Sequence, residues 1–380
     1  MLSNAALQDM KPISADSHVV EPPDIFISRI DPKYRDICPR GIDHETRGAL
    51  YLVEGISPVA VGGAASAGIP ADQLRLEGRT FANLHRGGWD PKARIADMDR
   101  DGVFAELIYP SVGMAICDLT DFDYKRACMQ AYNRWLEEFC GGLPTRLFGV
   151  GQSAARDPAT MIEDMIDIKE KGFKGVMIPG EPGLEDYDSP IWDRVWATAV
   201  ELDLPVCLHI LIKRTKEGNA FNHGKMRGGK LNGHMMATRM LQDVVGVFMF
   251  GGVFDRHPKL KLVSVEADAG WVPHFVDRAE HFYHRHRHWL QGKELKRLPT
   301  EVFRDNVWLT FQDDRAALKA AEHGLLNPDM LLWASDYPHS DSTWPDSMPT
   351  LAHTSDGVDP AMLRKIVHDN TRDLFKLTLN

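Results

Sequence analysis

"ISADSHVVEPP", residues 13–23, decides how this chain is read. Residues 13–17 form a short buried strand by pattern. Side chains alternate between the two faces of a strand, so Asp16 and His18 leave on the same side at its end. Pro22 and Pro23 have no N–H to donate and cannot extend a central strand, which stops the element where these two metal-capable groups emerge. What matters next is which other strand ends in the chain can meet them.

Seven further β-rich apolar runs follow, at residues 104–111, 147–153, 173–179, 205–210, 260–267, 307–312 and 331–338. Most are followed by helical periodicity with recognisable starts and stops. "DPATMIEDMIDIKEKG" opens on Asp157 and Pro158 and closes on Gly172, and "SPIWDRVWATAVELD" opens on Ser189 and Pro190. An acceptor side chain at the N-cap followed by proline is helix-start chemistry. Eight strands alternating with helices predict a parallel α/β fold of the (β/α)₈ TIM-barrel type, with a doubly wound open sheet as the alternative. The chain is expected to be one domain, residues 1–380. The connection from the first to the second strand, about 85 residues, is far longer than an ordinary βα loop. Residues 19–89 are therefore read as an insertion over the barrel mouth, a lid or hairpin rich in glycine and alanine. The run "GGAASAG" within it lacks the G-K-[ST] or G-x-G-x-x-G of a phosphate cradle.

The 380 residues are 43% hydrophobic and 26% charged, enough for a sizeable core. A net charge of −10 argues against a nucleic-acid surface and for a small-molecule partner. Cys38, Cys117, Cys128, Cys140 and Cys207 are scattered and form no C-x-x-C pair, so neither a disulfide framework nor a thiolate metal site is expected. No charged-then-apolar leader is evident, and no apolar run nears the roughly 18 residues of a spanning helix. The expectation is a cytoplasmic protein that is not embedded in a membrane.

In a barrel, chemistry is built from the C-terminal ends of different strands. The first strand offers Asp16 and His18; the fifth, "LPVCLHI", His209; the sixth, "KLVSVEADAGW", Glu266 and Asp268; the eighth, "LLWASDYPH", Asp336. Singly, a strand-end histidine is an ordinary hydrogen-bonded residue and a strand-end aspartate an ordinary N-cap. Jointly, Asp16, His18, His209 and Asp336 make an oxygen and nitrogen donor set for one divalent ion, with zinc foremost and manganese or iron also suited. Three lesser groups are also candidates. "HFYHRHRHWL" carries His281, His284, His286 and His288, of which His281, His284 and His288 share one side of a helix; this is a second metal site or, in the plainer reading, a solvated or subunit-facing surface. "NHGKMRGGKLNGH" places His223, Lys225 and Arg227 after the fifth strand, where Arg227 is suited to anchor a carboxylate or belongs to a surface charge run. "HRGGW" places His85, Arg86 and Trp89 at the end of the insertion as candidates to line the pocket.

These motifs resemble the amidohydrolase superfamily, in particular the amidohydrolase-2 branch that includes aminocarboxymuconate-semialdehyde decarboxylase and aromatic acid decarboxylases. "ADSHVVEPPDIF", "GGWDPKARIADMDRDGVFAELIYPS", "GGVFDRHPKLKLVSVEADAGWVP" and "WASDYPHSDSTWP" carry the likeness across nearly the whole chain. The resemblance implies paired first-strand ligands at Asp16 and His18, a fifth-strand ligand at His209, an eighth-strand carboxylate at Asp336 and one divalent metal. Binuclear relatives bridge two ions with a lysine at the end of the fourth strand, whereas "FKGVMIP" has its only lysine, Lys174, near the beginning. One departure stands out. The decarboxylases carry a histidine at the end of the sixth strand, and Glu266 occupies about that position here; an ionised glutamate cannot donate a hydrogen bond as a histidine can.

The leading expectation is metal-dependent, non-oxidative decarboxylation of an aromatic or unsaturated carboxylic acid, with Asp336 as proton shuttle and Glu266 as a second acid–base group, a ligand or a support for one. The alternative is hydrolysis of an amide, ester, lactone or C–C bond at the same mononuclear site. A catalytically silent binding protein on the same fold is the third reading, and it leaves so many strand-end charges unexplained. A homodimer is expected, chiefly from the family likeness.

Overall fold

A computed structural model describes residues 1–75, 78–212 and 229–379 of the chain. Its strands in chain order are β1 (Ile13–His18), β2 (Arg40–His44), β3 (Gly48–Leu52), β4 (Val59–Ala60), β5 (Ala105–Tyr109), β6 (Leu147–Gln152), β7 (Gly175–Met177), β8 (Val206–His209), β9 (Leu262–Val265), β10 (Val307–Phe311) and β11 (Leu331–Trp333). Eight of them form one parallel sheet in the order β1-β5-β6-β7-β8-β9-β10-β11. The two ends of that order meet. The Asp336 N–H donates to the Asp16 carbonyl at 3.0 Å and the His18 N–H to the Tyr337 carbonyl at 2.7 Å, closing the sheet into a (β/α)₈ barrel. Each of the eight expected runs supplies one barrel strand, and the open-sheet alternative is set aside.

The strands are buried on both faces, as strands between a packed interior and an outer ring of helices must be. Helices follow each strand with the local chemistry the sequence indicates. Asp157 caps Pro158–Glu170 by accepting from the Thr160 N–H, and Asp90 caps Pro91–Asp101 by accepting from the Lys92 and Ala93 N–H groups. That second helix stops at Gly102, whose φ of 80° is left-handed backbone that glycine adopts without steric cost. Lys174 precedes β7 and lies over the Phe148 ring, away from the C-terminal strand ends.

Within residues 19–89, β2, β3 and β4 form a small antiparallel sheet. Its following turn docks on the loop after β11: the Ser66 and Ala67 N–H groups donate to the Pro338 carbonyl, and the Ser340 N–H to the Gly63 carbonyl. The inserted segment is thereby tied to the loop that follows Asp336. Among the described residues no helix is long and apolar enough to cross a membrane.

Candidate metal centre

The cluster is assembled from four strand ends. On β1 the alternation puts Asp16 and His18 on one side, with His18 Nε2 3.3 Å from Asp16 Oδ1. The last residue of β8 is His209, whose Nε2 lies 3.3 Å from His18 Nε2 and 3.5 Å from Asp16 Oδ1. Glu266 follows β9 and sets Oε2 3.3 Å from His209 Nε2 and 3.7 Å from His18 Nε2. Asp336, beyond β11, brings Oδ1 to 3.3 Å from His18 Nε2. Glu266 and Asp336 both have left-handed backbone, at φ 60° and 55°. Such conformations cost a non-glycine residue about 1–3 kcal/mol and persist where surrounding structure enforces them. Here they turn each carboxylate into the cluster directly after its strand. The Thr310 hydroxyl accepts from the Glu266 N–H at 2.8 Å and helps hold that turn.

The electrostatics of this cluster call for a cation. His18 Nδ1 lies 2.9 Å from the Pro110 carbonyl and His209 Nδ1 3.0 Å from the Ile210 carbonyl. A carbonyl only accepts, so each Nδ1 carries a hydrogen and each neutral ring turns an Nε2 lone pair inward. Asp16 Oδ1, Glu266 Oε2 and both Asp336 oxygens are buried without a hydrogen-bond partner. Two lone pairs and several carboxylate oxygens at these separations repel one another unless positive charge lies among them. Donor spacings of 3.3–3.7 Å are close to what two ligands at about 2.0–2.2 Å from one ion subtend. A proton on His209 is the other source of positive charge: burial lowers the affinity of that ring for a proton, but Asp16 and Glu266 outweigh it and push its pKa up. Burial and the neighbouring His339 instead hold His18 down at about 3. Burial raises Glu266 and Asp336 well above the usual carboxylate range, reinforced by the charge of Asp336 on Glu266 and of Asp16 on Asp336. In Asp16 the effect of burial is overcome by His209 and His18, and its pKa falls. The donor set, spacing and burial are those of a divalent-metal site.

Comparison with known proteins agrees. The amidohydrolase family model matches residues 39–377. The chain belongs to the amidohydrolase family. An amidohydrolase of Mycobacterium avium subsp. paratuberculosis K-10 superposes with a TM-score of 0.76 at 23% identity, covering 96% of this chain and 99% of that one. A 5-carboxyvanillate decarboxylase of Novosphingobium aromaticivorans, complexed with manganese and 4-hydroxy-3-methoxy-5-nitrobenzoic acid, superposes with a TM-score of 0.70 at 18% identity, covering 99% of this chain and all (100%) of that one. At such identities the likeness is one of fold. Among curated sequences, the decarboxylase orsB of Emericella nidulans is 25% identical over 201 residues. That match spans 51% of this chain and 59% of the relative's length.

Three of the four ligand positions expected from this amidohydrolase sequence group with Glu266: Asp16, His18, His209 and Glu266 bring one donor atom each within 4.8 Å of one another, whereas Asp336 groups with His18, Glu266 and His339. His339 was not anticipated. Its ring stacks on His18 at 3.8 Å, its Nδ1 lies 3.0 Å from Asp336 Oδ1, and its Nε2 lies 2.9 Å from the Ser111 hydroxyl. The signal was present as D-x-x-H in "SDYPH", three residues past a residue already chosen. Arg86 and Trp89 make no contact with the cluster: Arg86, 70% exposed, pairs with Asp90 at 2.7 Å and lies 5.7 Å from the ring of Trp89, itself 38% exposed. His85 instead holds Asp97 at 2.9 Å. His223, Lys225 and Arg227 lie outside the described residues. The Asp268 carboxyl is pushed up to about 6 by burial and Asp314, and it approaches the Gln312 N–H rather than the donors. His281, His284 and His288 are exposed on or beyond the helix Val272–His286, and no metal-capable group among the described residues includes them.

Proposed function

We propose that this amidohydrolase is a metal-dependent, non-oxidative decarboxylase of an aromatic or unsaturated carboxylic acid. The carrying observation is geometric: Asp16, His18, His209 and Glu266 bring donor atoms together at metal-ligand spacing, and Asp336, grouped with His18 and Glu266, adds a further carboxyl beside them. Asp16, His18 and His209 would hold the ion, with Glu266 or Asp336 completing its shell. A bound divalent cation supplies Lewis-acid stabilisation of negative charge developing on the substrate.

Replacing a carboxylate by hydrogen requires a proton at the carbon that loses CO₂. A carboxyl kept neutral by burial can supply one near neutral pH. Glu266 and Asp336 face the same space, so the one that does not bind the ion is free to hold this proton. The departure from histidine at the sixth barrel strand is accommodated in this way: an ionised glutamate cannot donate, but a protonated one can. His339, stacked on His18 and close to Asp336, fixes the orientation of both and lines the space where substrate would lie. The decarboxylases among the relatives support this reading, and the manganese held by one of them supports Mn²⁺ as a candidate for the resident ion alongside Zn²⁺ and Fe²⁺.

The oxygen-rich donor set also suits hydrolysis, with Asp336 taking a proton from water. Metal-loaded protein incubated with a panel of hydroxybenzoates separates the two: CO₂ release is expected, and turnover confined to amides, esters or lactones overturns the decarboxylase reading. In the same proposal, residues 19–89 cover the mouth as a lid within a single domain, and Arg227, His223, Arg86 and Trp89 remain candidates to contact the acid. The five buried free cysteines suit a reducing cytoplasm. The protein is a homodimer in this reading, and a monomeric mass by light scattering at micromolar concentration would contradict it.

A further inference from the structure

The eight strands are joined as a ladder through each seam except the one between β11 and β1. That seam carries Asp16 and His18 on one side and Asp336 on the other. Its other pairing partner is irregular too: the β1–β5 register shifts between Ser14 and Ser17, on either side of Asp16. Three of the five donors therefore stand where regular sheet hydrogen bonding is weakest.

Two backbone bonds and the Ser14 and Ser17 hydroxyls, which meet Ser335 at 2.9–3.3 Å, cross this seam below the donors, and a guanidinium crosses it beside them. Arg94, fully buried on the helix Pro91–Asp101, donates from Nη1 to the His18 carbonyl at 2.6 Å and to the Gly87 carbonyl at 3.3 Å, and from Nη2 to the Tyr337 carbonyl at 3.3 Å. Its Nε–H donates to Glu106 Oε2, and Glu106 Oε1 accepts from the Ser17 hydroxyl at 3.2 Å. The Tyr337 carbonyl thus receives both the His18 N–H and Arg94. The approach is tight: a Cβ on Gly87 would stand 1.8 Å from the Tyr337 hydroxyl oxygen.

We propose that Arg94, held by Glu106, is a positioning residue that helps fix the spacing of His18 and Asp336 across the β11–β1 seam, and with it the affinity and geometry of the site for its divalent cation. Stability alone gives a weak reason for such a pair, since a buried ion pair often does no better than apolar residues of the same volume. Direction gives a stronger one. A guanidinium presents its donors in a rigid planar fork, and this fork is aimed at the backbone of one ligand and of the residue next to another. A lysine, with one flexible ammonium, cannot hold the same three carbonyls in that geometry.

The inference rests on the metal reading above, and its test does not depend on the reaction. Holoenzyme is stripped by chelation and titrated with Co²⁺, reading affinity by competition and geometry from the visible ligand-field bands, with thermal melts in parallel. Arg94→Lys keeps a charge opposite Glu106 and should bind Co²⁺ about 10–100-fold more weakly, the range for residues that orient metal ligands, with shifted bands. Arg94→Met/Glu106→Leu removes the pair without stranding a charge; it should melt near the wild type and show the same loss. Folded variants with wild-type cobalt affinity and bands overturn the proposal. If the double variant does not fold, Arg94→Lys decides alone by the same criteria. A wild type that takes up no cobalt overturns the ligand set and this inference together, whereas equal binding by wild type and variants overturns only the inference.

Discussion

Asp336→Asn tests the proposed proton chemistry most directly, because the structure says little else should change. Both carboxylate oxygens are buried, and their neighbours, the His339 Nδ1 at 3.0 Å and the Gln312 side chain, are ones an asparagine carbonyl oxygen can keep. The residue sits at φ 55°, and asparagine is among the few residues that tolerate left-handed backbone. Shape is retained while the ionisable proton is lost. General acid–base groups contribute about 10²–10⁴-fold to kcat, which at about 1.4 kcal/mol per tenfold raises the barrier by about 3–5 kcal/mol. The assay is CO₂ release at saturating metal and substrate, with metal content measured on the same sample. A loss of less than about tenfold in fully loaded protein would refute the role. A second readout needs no substrate. Burial and Asp16 raise the Asp336 pKa, so in metal-free protein its ionisation opposes folding and stability falls as pH rises above the ordinary carboxylate range. Asparagine cannot ionise. Metal-free Asp336→Asn should therefore melt higher than metal-free wild type at pH 8, and a lower melting temperature would show that the electrostatic account of the cluster is wrong.

His209→Ala removes a donor whose other nitrogen is already satisfied by a backbone carbonyl, so elemental analysis should find most of the metal gone while circular dichroism shows an intact barrel; unchanged metal content would take His209 out of the site. Glu266→Gln keeps size and removes the proton: metal retained with at least a hundredfold loss of turnover assigns it to proton transfer, metal loss assigns it as a ligand, and full activity with full metal removes it from both roles. Glu266→His should preserve CO₂ release if the position serves decarboxylation, and activity only on hydrolysable substrates would hand the site to hydrolysis. Glu21 gives a pH prediction away from the donors. Burial pushes its carboxyl from 4.5 up to about 7, against hydrogen bonds from the Val112, Gly113 and Ser111 N–H groups. The folded state holds this proton more tightly than the unfolded state, so its contribution, about 3 kcal/mol at about 1.4 kcal/mol per pH unit, is complete below pH 4.5 and lost as pH rises through 7. Denaturant midpoints of Glu21→Gln between pH 5 and 8 should be flatter than those of the wild type, and equal slopes would contradict the assignment.

Much of the barrel was legible because its signals are local. Alternating apolar runs and Asp–Pro helix starts mark each β/α unit independently, and β1, β6, β8 and β10 begin and end within a residue or two of the runs read from sequence. Asp16 and His18 could be paired on paper because the period of a strand is two. His339 was missed because the turn after β11 obeys neither period, and only its fold brings that ring onto His18. Glu106 was missed although a carboxylate inside "FAELIYP" is itself a signal, since such a group is seldom buried without a partner.

By itself, the sequence determined that eight strands would alternate with helices, that Asp16, His18, His209 and Asp336 would stand at strand ends, and that Glu266 would follow the sixth of those strands. These follow from short-range rules: side-chain alternation, capping chemistry and the inability of proline to continue a ladder. Only the tertiary structure decided that Glu266 faces the donors, that its carboxyl and that of Asp336 are driven toward the protonated form, and that Arg94 bridges the seam between β1 and β11. Those outcomes depend on burial and on distances between residues more than 240 positions apart in the chain, as from Arg94 to Tyr337 and from Asp16 to Asp336. Desolvation and Coulomb energies exist only once the barrel has closed.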